Sequence, residues 1–252
     1  MKRKSFIILA VAAVISVAIA LPGCNSNPPV LPAATGTENG HEYVDMGLSV
    51  MWATMNIGAN VPEDYGWYIC WAETEEKDNY DWKTYKYGKS ARTLTKYNTS
   101  KDCGSTVDSL LTMQPEDDAA TANWGGRWRT PTKDEWQELL DNCKWQTGRL
   151  NGVKGFYFTA PNGNSIFLPL AGMRTLDKSW WEAVKNDDDL NLGMGESGLY
   201  RSASLQALAP PHVPTPYYSW TLRMSDDKDG KDVYWVNGSR ETGQSFRPVL
   251  DK

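Results

Sequence analysis

Histidines are scarce in this chain. The two histidines are His41, in a segment predicted to be a strand, and His212, in a stretch rich in proline. The sequence contains no Gly-x-Ser-x-Gly elbow, no His-Glu-x-x-His zinc motif and no glycine-rich phosphate-binding loop. A catalytic triad would need one of the two histidines beside a nucleophile, and no motif places either of them there. The sequence therefore predicts a protein that is not an enzyme.

Acidic residues gather around Gly230, near the C-terminal end of the chain. Carboxylate oxygens at a turn are the ligands that hard cations such as calcium prefer. The spacing does not complete an EF-hand loop, because the closing glutamate is missing. Calcium is thus the one cofactor that the sequence suggests, and an acidic loop exposed to solvent is the alternative. The candidate metal ligands are Asp226, Asp227, Asp229 and Asp232.

Aromatic residues are abundant, with twelve tryptophans and twelve tyrosines among 252 residues. Both side chains combine an apolar ring with a polar edge, which suits crowded cores as well as surfaces that stack on sugar rings. Two pairs, Trp180-Trp181 and Tyr217-Tyr218, belong to segments that flank long loops. We take these four residues as the candidate ligand-binding residues. The alternative is that their rings bury the loops against the core.

Two short helices are predicted in the middle of the chain. Residues 115–118 are a proline and three acidic residues, which suits a first helical turn, and the glycines in residues 124–126 end that helix. The second helix begins at a capping box formed by Thr132 and Glu135. Its apolar residues recur at i, i+3, i+4 and i+7, which predicts one buried stripe. The stripe consists of Trp136, Leu139, Leu140 and Cys143.

Runs rich in aromatic and β-branched residues predict a sheet around these helices. The clearest signal is Asn162-Gly163 between two apolar runs, since both residues tolerate the positive φ of a hairpin turn. Residues 75–114, 175–197 and 205–216 are polar or rich in proline and are predicted to be long loops. The predicted strands cover residues 41–46, 49–54, 65–71, 155–159, 165–170, 198–204, 217–224, 232–236 and 244–249.

The middle of the chain also resembles a known family. Its motifs are EDDAA at 116–120, NWGG at 123–126, WRTPT at 128–132 and EWQELLDNC at 135–143. These are similar to the Fibrobacter succinogenes major paralogous domains, which are abundant in Bacteroidota lipoproteins, and the resemblance covers roughly residues 40 to 250. It implies an α+β domain with a C-type-lectin-like fold, built from a twisted antiparallel sheet, two short helices and long loops. Relatives often have cysteine where this chain has Met55 and tryptophan where it has Arg201.

The fold implied by the resemblance is related to that of formylglycine-generating enzymes, so an oxidase of that type is one alternative function. Its copper chemistry uses a pair of cysteines late in the domain. The cysteines here, apart from Cys24, are Cys70, Cys103 and Cys143, and all of them precede residue 144. In an oxidising compartment we expect one disulfide and one free thiol among these three, with the pairing left open.

The first residues are predicted to be a targeting segment. Residues 1–24 have a basic start, an apolar run too short to span a membrane comfortably, and the sequence Leu-Pro-Gly-Cys, which resembles a lipobox ending at Cys24. Lipidation of Cys24 is expected, and an ordinary secretory leader is the alternative. Residues 25–40 are predicted to be a flexible tether and residues 41–252 a single domain. This organisation predicts an anchor in the outer membrane of a Gram-negative bacterium, at its periplasmic face or at the cell surface.

These features lead to a hypothesis about function. The net charge of −5 gives no basic surface, so nucleic acid is not an expected partner. We expect a non-catalytic, lipid-anchored binding module of the cell envelope, whose ligand is a glycan or another envelope or host protein. Residues 175–232 are expected to engage it, because they hold the long loops. Besides the oxidase, a structural envelope or pilus-associated subunit is the second alternative.

Overall fold

The computed structural model describes residues 31–176, 191–206, 215–227 and 230–252. In this part of the chain there are two α-helices and thirteen strands. The helices are α1 (Ala119–Trp124) and α2 (Lys133–Asn142). The strands are β1 (Gly36–Glu38), β2 (His41–Val44), β3 (Val50–Ala53), β4 (Trp128–Arg129), β5 (Lys144–Leu150), β6 (Val153–Thr159), β7 (Ser165–Pro169), β8 (Met173–Arg174), β9 (Asn191–Leu192), β10 (Ser197–Leu205), β11 (Tyr218–Asp227), β12 (Gly230–Ser239) and β13 (Val249–Asp251).

The described strands form four sheets, and every pair of neighbouring strands in them is antiparallel. The largest has the order β1-β2-β3-β13-β4, so the N-terminal strands and the C-terminal strand share one sheet. Two three-stranded sheets have the orders β5-β6-β7 and β10-β11-β12, and β8 pairs with β9. The predicted α+β class, with antiparallel sheet and two short helices, is confirmed at this level.

Helix α2 packs its apolar stripe into the main core, as its sequence pattern predicts. Its capping box is present: the Glu135 amide donates to Thr132 Oγ1 at 3.3 Å, and the Thr132 amide donates to Glu135 Oε2 at 2.8 Å. Trp136 and Leu139 are fully buried, and the Trp136 ring lies 4.6 Å from that of Trp52. Burying such side chains contributes about 1.5–3 kcal/mol each, which fixes the helix on the sheets.

The prediction for the first helix is wrong in its first turn. Pro115–Asp117 is a 3-10 turn, and Asp118 has an extended backbone with φ −89° and ψ 117°. The Asp118 carboxylate accepts from the amide of Ala120 at 2.8 Å and from that of Thr130 at 2.8 Å. An N-cap residue needs an extended backbone to make such bonds, so α1 begins only after Asp118.

Several strand predictions differ from the structure. Residues 65–71 form no ladder, and only Ile69 makes an isolated bridge, to Gln244. Strand β5 was not predicted, because most of its side chains are exposed and polar. Its turn into β6 is Asn151-Gly152 with φ 47° and 88°, an Asn-Gly signal that could have revealed it. The last strand is the short β13, although residues 244–249 were predicted.

The predicted tether and disulfide also differ from the structure. Strand β1 lies inside residues 25–40 and pairs with β2, so the folded part begins earlier than expected. Cys70, Cys103 and Cys143 are all buried free thiols, so the expected disulfide is wrong. The Cys70 thiol donates to the backbone carbonyl of Glu241 at 2.8 Å.

The long segment 75–114 has little regular structure, as predicted, but its aromatic side chains are buried or half-buried. Tyr85 and Tyr97 are both 0% exposed. The segment is held by the carboxylate of Asp117, whose side chain is 1% exposed. Lys86 Nζ donates to Asp117 Oδ1 at 2.9 Å, and Lys96 Nζ donates to Asp117 Oδ2 at 2.6 Å. The hydroxyls of Tyr87 and Tyr97 also donate to this carboxylate.

These contacts predict a specific acid sensitivity. Burial by itself raises the pKa of Asp117, but the hydrogen bonds from Lys96, Tyr87 and Lys86 outweigh it and lower the pKa to about 2. A depressed carboxyl pKa stabilises the fold fully above the unfolded value near pH 4, and this stability is lost as the pH falls towards 2. We expect the loss to be about 2 kcal/mol in urea unfolding between pH 4.5 and 2.

The variant Asp117→Asn removes this titration, so its unfolding free energy should depend less on pH over the same range. Asp102→Asn, at an exposed residue, is the matched control and should keep the pH dependence of the wild type. Equal pH dependence in all three proteins would contradict the assignment.

Candidate functional site

The sheet β10-β11-β12 has one face in the core and the other face under a groove. Directly paired residues of antiparallel strands point to the same face, and successive residues alternate. Tyr200 and Leu222 lie on the core face and are fully buried, and Trp235, which pairs with Leu222, packs against them. Arg223 and its pair Tyr234 therefore project from the opposite face.

A groove of about 450 Å³ lies at this opposite face, and we call it the β12 groove. Its volume falls in the range of about 300–1,000 Å³ that is typical of small-ligand sites. Seven of its twelve lining residues are polar or charged, and the other five, one of them a glycine, are apolar. The lining includes Met173, Leu199, Val236, Arg223, Glu241 and Gln244.

Arg223 lines the groove, and its pair Tyr234 lies on the same face of the sheet, beside the groove and not in its lining. Arg223 Nη1 donates to the Tyr234 hydroxyl at 2.7 Å, and the guanidinium carbon lies 5.6 Å from the centroid of the ring. The Tyr234 side chain is 39% exposed. A flat, partly exposed aromatic ring of this kind can stack on the apolar face of a sugar ring.

The far wall of the groove is fixed by the buried guanidinium of Arg201. This side chain is 0% exposed and has no carboxylate among its hydrogen-bond partners. Its Nη2 donates to the carbonyls of Ser239 and Thr242, each at 2.7 Å, and its Nη1 donates to Ser219 Oγ at 2.8 Å. Burial lowers the pKa of Arg201 to about 10, which leaves the group charged at neutral pH. The segment after β12 is thus tied to the sheet beneath it.

Further hydrogen bonds continue from this wall into the sheet. The Thr221 hydroxyl donates to Gln244 Oε1 at 2.9 Å, and Gln244 Nε2 donates to Thr242 Oγ1 at 3.2 Å. Gly238 permits the close approach, because a Cβ there would lie 2.1 Å from Thr221 Oγ1 and 2.5 Å from Arg201 Nη1. The groove wall is therefore a preformed structure and not an open loop.

The predicted aromatic residues do not line this groove. Tyr217 and Tyr218 are half-buried, with ring centroids 4.7 Å apart and an interplanar angle of 58°. Tyr218 has the same parity along β11 as Leu222, so it points to the core face of the sheet. The predicted Trp180 and Trp181 lie outside the described residues, as does Cys24.

Of the four predicted metal ligands, Asp226 and Asp232 are the two whose side chains the structure describes. Asp226 pairs with Lys231 and Asp232 pairs with Ser225, so Asp226 and Asp232 lie on opposite faces of the hairpin. Lys154 donates to the Asp226 carbonyl, and its Nζ lies 3.4 Å from Asp226 Oδ2. Asp229 and the side chain of Asp227 are outside the described residues. Within the described ranges no group of three or more His, Cys, Asp or Glu residues could hold a metal ion.

Sequence reasoning missed the residues that form the groove. Val236 alternates with Trp235 along a predicted strand, but the sequence did not show which face was exposed. Glu241 and Gln244 follow that strand, in a segment that Arg201 holds through the carbonyls of Ser239 and Thr242. The one available signal was Arg201 itself, a charge at a place where the family resemblance implies an aromatic residue.

Comparisons of the chain with protein-family models, with curated protein sequences and with solved structures return no match. No helix within the described residues has the length and apolar character that a membrane span requires.

The role of Arg201 predicts a large effect from a small substitution. In Arg201→Lys, a single ammonium group replaces the planar guanidinium. It cannot reach both the Ser219 hydroxyl and the carbonyls of Ser239 and Thr242. We expect a loss of about 3–5 kcal/mol in the free energy of unfolding, because a buried charge and its acceptors lose their partners. Denaturant titration measures this loss.

Arg127→Lys is the control, because the Arg127 side chain is 55% exposed, and it should change the free energy of unfolding by less than about 0.5 kcal/mol. Equal effects would contradict the role of Arg201.

Proposed function

We propose that this protein is a non-catalytic binding module of the cell envelope and that its ligand is a glycan bound in the β12 groove. The observation that carries the proposal is the exposed Tyr234 ring, which is hydrogen-bonded to Arg223, a residue that lines the groove together with Leu199 and Val236. Sugars present apolar ring faces and many hydroxyls, and this combination of surfaces meets both. A protein ligand from the envelope or from a host is the alternative occupant.

We further propose that the domain belongs to the major paralogous domain family and has a variant of the C-type-lectin-like fold. The support is that the motif residues serve the scaffold. Asp118 caps α1 and holds Thr130, while Trp128 is buried. Arg129 makes an ion pair with Glu135 at 2.6 Å. In such a domain the motifs maintain the framework, and the ligand site is left to the less regular segments.

We also propose that Cys24 carries a lipid and anchors the domain in the outer membrane, at its periplasmic face or at the cell surface. Among the described residues, the first backbone hydrogen bond to the domain is made by Thr35, whose amide donates to the carbonyl of Tyr43 at 2.8 Å. The eleven residues after Cys24 up to Thr35 can span at most roughly 40 Å. A module on so short a tether would act on ligands close to its membrane.

The oxidase alternative finds little support in the thiols. A copper ligand must be a thiolate, which burial disfavours. Burial raises the pKa of Cys70 and of Cys103, and it raises the pKa of Cys143 to about 11. These thiols are therefore better suited to packing than to metal binding.

The glycan proposal is tested on an array of envelope and host glycans, followed by calorimetry on the best ligand. Tyr234→Ala should weaken binding at least tenfold, a loss of about 1.4 kcal/mol, because the stacking surface is removed. Tyr234→Phe keeps the ring and should retain most of the affinity.

Trp145→Ala is the matched control, because Trp145 is also an aromatic residue with 39% exposure but lies on β5. Its affinity should stay within about twofold of the wild type. Absence of any glycan ligand, or full binding by Tyr234→Ala, would contradict the proposal.

A further inference from the structure

Strand β12 is an outer strand of its sheet and is long and regular. The sheet has the order β10-β11-β12, so β12 pairs with β11 on one side only among the described residues. Its ten residues pair with β11 in one unbroken register, from Tyr218 opposite Ser239 to Asp227 opposite Gly230. From Lys231 to Asn237, the other side of the strand therefore presents backbone N–H and C=O groups that no described strand pairs, whereas Gly238 is buried.

Proteins usually protect such an edge with charges, proline, a bulge or a short strand. Strand β12 contains no proline and its register shows no bulge. Its charged residues, Lys231 and Asp232, are confined to the hairpin end. The sequence Val-Tyr-Trp-Val that follows has high β-propensity and no charge, and Tyr234 within it is 39% exposed. An unprotected edge of this kind can bind a strand from another chain through backbone hydrogen bonds.

We propose that a second copy of this chain pairs its own β12 antiparallel to this edge, so that two three-stranded sheets become one of six strands. The two copies of the strand are complementary when Tyr234 of one lies opposite Tyr234 of the other. Val233 then lies opposite Trp235 of the second copy, and this favourable pairing of a β-branched and an aromatic residue occurs twice. Lys231 lies opposite Asn237 at each end of the paired stretch, and Asp232 lies opposite Val236, so like charges never meet.

The pairing has a geometric consequence for the β12 groove. The twofold axis between antiparallel strands of one sheet is perpendicular to that sheet, so it keeps both copies facing the same way. The two grooves would open side by side towards one surface. Two linked sites bind a repetitive ligand more tightly than one site does. The dimer itself does not depend on what the groove binds.

The test places charges at Asn237, which is exposed and, in this register, lies opposite Lys231 of the second copy. Asn237→Asp creates two attractive pairs across the dimer, and Asn237→Lys creates two repulsive ones. The full chain is extracted in a density-matched non-ionic detergent and its dimer dissociation constant is measured by sedimentation velocity. We expect roughly a two- to thirtyfold tightening for Asn237→Asp and a similar weakening for Asn237→Lys.

Two controls separate this effect from local damage. Asn237→Ala removes the hydrogen bond that Asn237 accepts from Gln206 without adding a charge. The double variant Lys231→Asp with Asn237→Lys restores opposite charges and should restore the dimer. Any of three results would overturn the proposal. The wild-type chain stays monomeric at every concentration, both charged variants weaken the dimer equally, or the purified protein is a monomer that carries a strand of another protein. Glycan binding is read out separately, so failure of either proposal can be recognised by itself.

Discussion

Three buried guanidinium groups with no carboxylate among their hydrogen-bond partners hold this domain together. Arg201, Arg240 and Arg247 are each 0% exposed. Backbone carbonyls and neutral side chains accept their hydrogen bonds. A segment without regular structure has carbonyls that no ladder satisfies, and a planar group with five donors can satisfy several of them at once. Burial disfavours the charged form of these groups, and it lowers the pKa of Arg201 and of Arg247 to about 10 in each case.

Each guanidinium joins parts of the chain that are distant in sequence. Arg247 donates to the carbonyl of Ala53 at 3.0 Å and to that of Phe167 at 2.9 Å, which ties the C-terminal segment to β3 and β7. Arg240 lies between the rings of Trp71, Tyr85 and Tyr97. It also donates to the carbonyls of residues 96, 97 and 216, which secures the long irregular segment 75–114. Together these residues replace the ladders that the short strands cannot supply.

Sequence patterns predicted the parts of the fold that depend on local chemistry. The capping box of Thr132, the Asn162-Gly163 hairpin and the buried stripe of α2 all follow from residue types at fixed spacing. The groove could not be predicted in this way, because it depends on buried arginines that bring residues after β12 back over the sheet. Hydrophobic periodicity carries no information about a charged residue that is buried through carbonyl contacts. The disulfide prediction failed for a related reason, since compartment and cysteine count do not state which thiols meet.

The arginine at position 201 links this framework to the proposed function. It fixes the segment from Ser239 to Thr242 on the sheet, and that segment forms one wall of the β12 groove. Hydrogen exchange of the backbone amides, followed by mass spectrometry in the wild type and in Arg201→Lys, tests this link most directly. The account predicts that residues 239–244 lose protection first, while β5, β6 and β7 keep theirs. Unchanged protection at residues 239–244, or an equal loss over the whole chain, would contradict it.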